Sequence, residues 1–84
     1  MSVHTVRLSL FMNIEDVGYL NSILDSYDGI GIVRTIDKQK GYVVVYSSDG
    51  FFELVLEVFD ALKKEGINIT LLSVEKNEMV DEWS

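Results

Sequence analysis

The stretch IGIVRTIDKQKGYVVVY, residues 30–46, contains two apolar runs on either side of the polar segment DKQKG. Both runs are rich in β-branched residues, which are common in strands. A short polar segment that closes with a glycine is typical of the turn between two paired strands. The stretch therefore predicts an antiparallel hairpin, with strands at residues 30–36 and 42–46.

An amphipathic helix is predicted before this hairpin. Asn13 can cap its first turn, and Asp16, three residues later, can complete a reciprocal capping box. Gly29 supplies the left-handed residue that commonly follows the end of a helix. The buried stripe recurs at steps of three and four residues and consists of Val17, Leu20, Ile23, Leu24 and Tyr27.

A second amphipathic helix is predicted after the hairpin. Ser48 or Asp49 is expected to cap it. Gly66 is expected to end it, just after Lys63 and Lys64, whose charges suit the negative end of a helix. Its apolar stripe consists of Phe51, Val55, Val58 and Leu62, with Phe52 and Phe59 beside them.

Two further strands complete the pattern. Residues 5–12 alternate between apolar and polar side chains, and residues 67–74 form a second β-branched run. The order βαββαβ predicts an α+β, ferredoxin-like fold, a four-stranded antiparallel sheet with two helices on one face. We expect one domain at residues 1–75, followed by an acidic C-terminal tail at residues 76–84.

The sheet face opposite the helices is predicted to be apolar and to need a cover. A second copy of the chain is the favoured cover, and the tail, with Met79, Val80 and Trp83, is the alternative. The residues predicted to form this homodimer interface are Phe11, Tyr42, Val44, Tyr46, Leu72 and Val74.

Composition argues against several functional classes. The chain has 84 residues, a net charge of −7, one histidine and no cysteine. The negative charge disfavours nucleic acid and anionic membranes as partners. A single histidine, His4, cannot build a histidine triad or metal cluster, and the lack of cysteine excludes thiolate sites. We expect a cytoplasmic protein that is not an enzyme and has no metal or cofactor.

Gly31 and Arg34 are not explained by the end of the first helix. A glycine in a strand allows another backbone or a ligand to approach closely. Arg34 can bind a carboxylate or phosphate through two parallel hydrogen bonds. The alternatives for Arg34 are a cross-strand ion pair, or a side chain whose stem packs across the sheet with its head in water.

The segment IEDVGYLNSIL, residues 14–24, resembles the start of ACT domains through Glu15, Gly18 and Leu20. ACT domains are small regulatory modules of ferredoxin-like fold that often bind amino acids. The resemblance implies paired domains with a ligand held near this loop and a subunit interface. The predicted ligand-binding residues are Asn13, Glu15, Gly18, Gly31 and Arg34.

The longer segment LNSILDSYDGIGIVRTIDKQKG, residues 20–41, is similar to a family of short bacterial proteins known only as a domain of unknown function. This likeness implies a bacterial cytoplasmic protein but no mechanism. Our first functional hypothesis is a non-enzymatic, ACT-like regulatory domain that binds a small molecule, such as an amino acid, as a homodimer. The alternative is a protein–protein interaction or assembly module that uses its open sheet face.

Overall fold

The computed structural model describes residues 5–27 and 30–77. Four strands form one antiparallel sheet in the order β2-β3-β1-β4. This arrangement confirms the predicted ferredoxin-like βαββαβ fold. The elements in chain order are β1 (Thr5–Met12), a 3₁₀ turn (Ile14–Asp16), α1 (Val17–Ser26), β2 (Gly31–Asp37), β3 (Tyr42–Ser48), α2 (Phe52–Lys64) and β4 (Ile69–Asn77).

The core lies between the sheet and the two helices. Alternate residues of β1 point towards the helices, and Leu8 and Leu10 are completely buried there. Most of the predicted helix stripes face this core, including Leu20 and Leu24 from α1. Tyr27 and Phe51 are exceptions, at 46% and 54% exposed, because each lies just outside the regular turns of its helix.

The predicted caps at the helix starts are wrong. Asn13 makes no side-chain capping bond; its carbonyl accepts from the Asp16 N–H at 2.9 Å, which creates the 3₁₀ turn before α1. Ser48 belongs to β3, and the residue at the cap position of α2 is Phe51. Asp49 instead forms an ion pair with Lys76, at 3.0 Å.

The predicted glycine at the end of α2 is confirmed. Gly66 has φ of +96°, and the Ile67 N–H donates to the Leu62 carbonyl at 3.0 Å, which satisfies a carbonyl of the last helical turn. Gly29, the predicted counterpart in α1, lies outside the described residues.

Both edge strands contain an irregularity in their pairing. Between Thr35 and Asp37 the register of β2 shifts by one residue, and β4 has an extra residue, Leu72, opposite β1. Such bulges reverse the alternation that follows. The predicted position of Val74 on the open face is therefore wrong, because Val74 pairs with Leu8 and lies on the helix side. Strand β4 also continues to Asn77, two residues past the predicted domain boundary.

The β2–β3 turn is bound to the end of β1. The Met12 N–H donates to the Gly41 carbonyl at 2.9 Å, and Gly41 has φ of +73°. A Cβ at Gly41 would lie 2.2 Å from the Met12 carbonyl oxygen, so only glycine fits this close approach. Asp37 closes the turn by accepting from the N–H groups of Gln39 and Lys40, at 2.9 and 3.2 Å.

Candidate functional site

A surface cleft of about 430 Å³ lies where the end of β1 meets the β2–β3 turn. One wall is formed by residues 12–15, which include the first two residues of the ACT-like segment, and the other by residues 38–41. The hydrogen bond between Met12 and Gly41 holds the two walls together at their base. Two segments that are far apart in the sequence thus share one concave surface.

The two walls of the cleft carry opposite charges. Glu15 contributes a carboxylate and Asn13 an amide on the first wall, and Lys38 and Lys40 contribute ammonium groups on the second. All four side chains are exposed, so their charges are screened by water. Since Asn13 does not cap the helix, its amide is not committed to the 3₁₀ turn. The cleft can therefore contact a small molecule that carries both charges.

The lysine wall was missed by the sequence prediction. The sequence pattern predicts that Lys38 and Lys40 belong to a polar turn, and the resemblance to ACT domains marks no residue of this wall. The signal was present in the topology, since in a βαββαβ fold the end of β1 and the β2–β3 turn lie at the same end of the sheet.

Gly18 lies next to the cleft segment in the sequence but does not line the cleft. It is the second residue of α1 and is exposed, and no described atom lies within 4 Å of the position of an added Cβ. A glycine in a helix costs about 1 kcal/mol relative to alanine. No packing contact within the described residues explains that cost.

Gly31 has a structural role on the helix side of the sheet. It is buried, and a Cβ there would lie 3.0 Å from Val45 Cγ1 and 3.5 Å from Leu24 Cδ1. The close approach inferred from this glycine is thus real, but it is made by the chain's own core. The interpretation of Gly31 as an approach point for a ligand or partner strand is corrected accordingly.

Arg34 lies on the opposite, open face of β2. It pairs with Val44 on β3, its side chain is exposed, and it forms no ion pair with any residue in 5–27 or 30–77. Neither Gly31 nor Arg34 lines the cleft. The structure thus brings Asn13 and Glu15 together, and it leaves Gly18, Gly31 and Arg34 apart from them.

The open face of the sheet is a second candidate surface. Val44 lies at its centre and is only 3% exposed, whereas Ile32 on β2 is 64% exposed and Leu72 on β4 is 48% exposed. The rings of Phe11 and Tyr42 lie between these edges, with their centres 5.7 Å apart. Of the six predicted interface residues, the register places Phe11, Tyr42, Val44 and Tyr46 on this face; Leu72 is the exposed extra residue of the β4 bulge, and Val74 lies on the helix side.

One ion pair lies on the same face. The Arg7 Nε donates to Glu75 Oε1 at 3.0 Å, and the terminal nitrogen of Arg7 contacts the same oxygen. The hydrogen bond to Glu75 raises the pKa of Arg7 above its ordinary value, so this guanidinium stays charged at every working pH. The face is therefore apolar at its centre, with charges at its margins.

A third concave surface, of about 380 Å³, lies between the outer sides of α1 and α2. Ile23 and Tyr27 contribute from α1, and Leu54 contributes from α2. Across the helices the Tyr19 hydroxyl donates to Glu65 Oε1 at 3.1 Å, and this bond raises the pKa of Tyr19. We interpret this groove as the seam between two packed helices.

Residues 5–27 and 30–77 contain neither a metal-ligand cluster nor a membrane-spanning helix. No group of three His, Cys, Asp or Glu residues is arranged there to hold a metal ion. In the same part of the chain, no helix has the length and apolar character required to cross a membrane.

Comparison with known protein families identifies the family of this chain. A family model described as a domain of unknown function, DUF4911, matches residues 12–65, which span both helices, the hairpin and the lysine wall of the cleft. Neither the curated proteins nor the solved structures contain a significant match to the sequence. Because the model covers more than half of the chain, the protein belongs to the DUF4911 family.

Proposed function

We propose that this protein is a non-enzymatic, ACT-like regulatory domain that binds a small zwitterion, such as an amino acid, in the cleft between residues 12–15 and 38–41, and that it acts as a homodimer. The observation that carries the proposal is the meeting of the ACT-like loop with the lysine wall. The loop supplies an anion, and the turn supplies cations, within one concave surface.

The chemistry of the two walls fits an α-amino acid. Its ammonium group would contact Glu15 and the carbonyl of the Asn13 amide. Its carboxylate would contact Lys38 or Lys40, with the Gln39 amide as a further donor. Because all these groups are exposed, we expect weak binding, with a dissociation constant on the order of 1 mM.

The cleft has no hydroxyl, thiol or imidazole group among its described lining residues. A nucleophile normally needs an adjacent base within hydrogen-bonding distance. Glu15, Lys38 and Lys40 could act as nucleophiles, but all three are exposed. Because a nucleophilic lysine is commonly activated by desolvation, this exposure favours binding as the role of the cleft.

Thermal unfolding in the presence of single amino acids tests this function. A ligand at about ten times its dissociation constant stabilises a protein by about 1.4 kcal/mol, and this appears as a rise in Tm. We expect at least one amino acid at millimolar concentration to raise Tm. The response should disappear in the Glu15→Gln protein and in the Lys38→Gln/Lys40→Gln protein.

The matched control is Lys63→Gln/Lys64→Gln. It removes two exposed lysines from the end of α2, away from the cleft, and changes the net charge by the same amount. The control should keep the full response. The binding function is refuted if no amino acid raises Tm, or if the cleft variants respond as strongly as the control.

A protein-assembly module is the second candidate function. It is favoured by the exposed apolar side chains of the open face, Ile32 and Leu72 in particular. A stable dimer that responds to no small molecule would favour this alternative.

A further inference from the structure

The open face of the sheet has an asymmetric charge distribution. Arg34, on β2 at one edge, forms no ion pair within the described residues. Glu75, on β4 at the other edge, has a side chain that is 49% exposed although it is bound to Arg7. Asp37, the other charged residue of β2, pairs with Tyr42 on the same face and accepts two hydrogen bonds from the turn that follows it. Arg34 near the β2 edge and Glu75 near the β4 edge are thus opposite charges at opposite edges of the face.

The register of the sheet places Arg34 and Glu75 in neighbouring rows of paired residues that cross the sheet. Arg34 pairs with Val44, Val44 pairs with Ser9, and Ser9 pairs with Ser73, so these four residues form one row across the face. Glu75 lies in the adjacent row, two residues along β4, a separation of about 7 Å. If a second copy is rotated so that its β4 lies over β2 of the first copy, Arg34 of one copy comes within reach of the Glu75 carboxylate of the other.

We propose that the open face packs against the open face of a second copy of this chain, with the two-fold axis parallel to the strands. This proposal rests on the homodimer in the proposed function and specifies its interface. The axis passes between the two central strands, so β2 of each protomer faces β4 of the other. Arg34 of each copy then lies opposite the edge that carries Glu75 of the other copy.

Charge selects this arrangement over two alternatives. A two-fold axis perpendicular to the strands would place β2 over β2 and β4 over β4, so Arg34 of one copy could not reach Glu75 of the other. Pairing of the two β2 edges into one continuous sheet would also leave each Glu75 on the far edge, out of reach of Arg34 of the other copy. Complementary charges across an interface fix the orientation of the partners.

The apolar centre fits the same axis. Packed sheets lie about 10 Å apart, with interdigitated side chains between them. The axis places Val44 of one protomer over Ser9 of the other, and the Phe11 and Tyr42 rings of both protomers in one cluster. The exposed Ile32 and Leu72 at the edges become buried. A domain of 84 residues without disulfides gains the additional burial that small domains commonly need.

Site-specific cross-linking tests the axis, because the chain has no cysteine of its own. Arg34→Cys and Ser73→Cys each introduce one thiol at an exposed position at opposite ends of one row. The two proteins are mixed, refolded together and treated with a short bis-maleimide. We expect a cross-linked dimer from the mixture and little product from either protein alone. Lys63→Cys, on the helix layer, mixed with Arg34→Cys is the negative control.

A charge reversal tests the edges independently. Arg34→Glu should raise the dissociation constant of the dimer by about tenfold or more, measured by sedimentation equilibrium, because both symmetric contacts become repulsive. Lys63→Glu changes the net charge equally and should leave the constant unchanged.

Two outcomes would overturn the proposed dimer or its axis. Efficient cross-linking of Arg34→Cys alone would overturn the axis in favour of an arrangement that joins the two β2 edges. A monomeric mass at micromolar concentration would overturn the dimer. An amino acid that raises Tm of such a monomer would leave the cleft function intact, so the two proposals fail separately.

Discussion

Strands β1 and β2 both alternate between the two faces of the sheet, but only β1 fills its core face with large apolar side chains. In the central strand β1, Leu8 and Leu10 are fully buried under the helices. In the edge strand β2, the helix side begins with the buried Gly31, and Ile32 on the open side is 64% exposed. An alternating pattern therefore identifies a strand, but it does not decide which face of an edge strand is the core face.

The position of each strand in the sheet explains the difference. Strand β1 lies between β3 and β4 and runs beneath both helices, so large side chains fill its core face. Strand β2 lies at the edge and starts where α1 is close, with Leu24 next to the position of an added Cβ at Gly31. There the core leaves little room for a side chain, so β2 contributes the smaller Val33 to the core and presents the larger Ile32 on the open face.

The largest effect is expected from Leu8→Ala in β1. Removing a completely buried leucine loses apolar burial and leaves a cavity, which costs about 2–5 kcal/mol. Urea denaturation should show this loss in the free energy of unfolding. The control is Leu72→Ala on β4, where the side chain is 48% exposed and the loss should be much smaller. Equal losses in the two variants would contradict the assignment of the faces.

A smaller loss is expected from Gly31→Ala in β2. The added methyl group would lie 3.0 Å from Val45 Cγ1, and a buried β-branched side chain has little freedom to move away. Such overpacking costs about 1–3 kcal/mol. The control, Gly18→Ala, adds the same methyl group to a helix with open space around it and should stabilise the protein by up to about 1 kcal/mol. The same sign for both substitutions would show that Gly31 is not packed as described.

The fold could be predicted from the sequence because its helices and strands are periodic and its turns carry glycine. The bounds of β1, residues 5–12, agree with the prediction. The two bulges could not be predicted in the same way. The segment LLSV, residues 71–74, contains no glycine or proline that would mark an extra residue, so simple alternation put Val74 on the wrong face.

Only half of the cleft could be predicted. Glu15 was found because it lies in the segment that resembles ACT domains, and Asn13 because it directly precedes that segment. Lys38 and Lys40 lie more than 20 residues later, and only the three-dimensional pairing of the turn with β1 brings them to the same cleft. Gly31 was interpreted as a ligand position because a sequence does not distinguish a glycine required by packing from one required by binding.

The two arginines of the open face, Arg7 and Arg34, should differ modestly in their contribution to the free energy of unfolding. Arg7 on β1 pairs with Glu75, and the two side chains are 32% and 49% exposed, so the pair is worth no more than about 1 kcal/mol. Arg7→Gln should lose this amount at low salt and almost nothing in about 1 M NaCl, where the charges are screened. Arg34→Gln, measured at protein concentrations low enough to keep the chain monomeric, should change the free energy of unfolding at neither salt concentration. A loss in Arg34→Gln as large as that in Arg7→Gln would indicate a partner for Arg34 within the chain.

The smallest effect on the monomer is expected from Ile32→Thr. Threonine keeps the β-branched shape that suits a strand, and the replaced side chain is 64% exposed, so the free energy of unfolding in dilute solution should change by less than about 0.5 kcal/mol. If the open face binds a second copy, Tm of the original protein should rise with protein concentration, and Ile32→Thr should reduce that rise. Thr35→Ser, in the same strand but on the helix side, should leave the concentration dependence unchanged. A loss above 1 kcal/mol in dilute Ile32→Thr would mean that this side chain is buried within its own chain, and strand β2 would then resemble β1 after all.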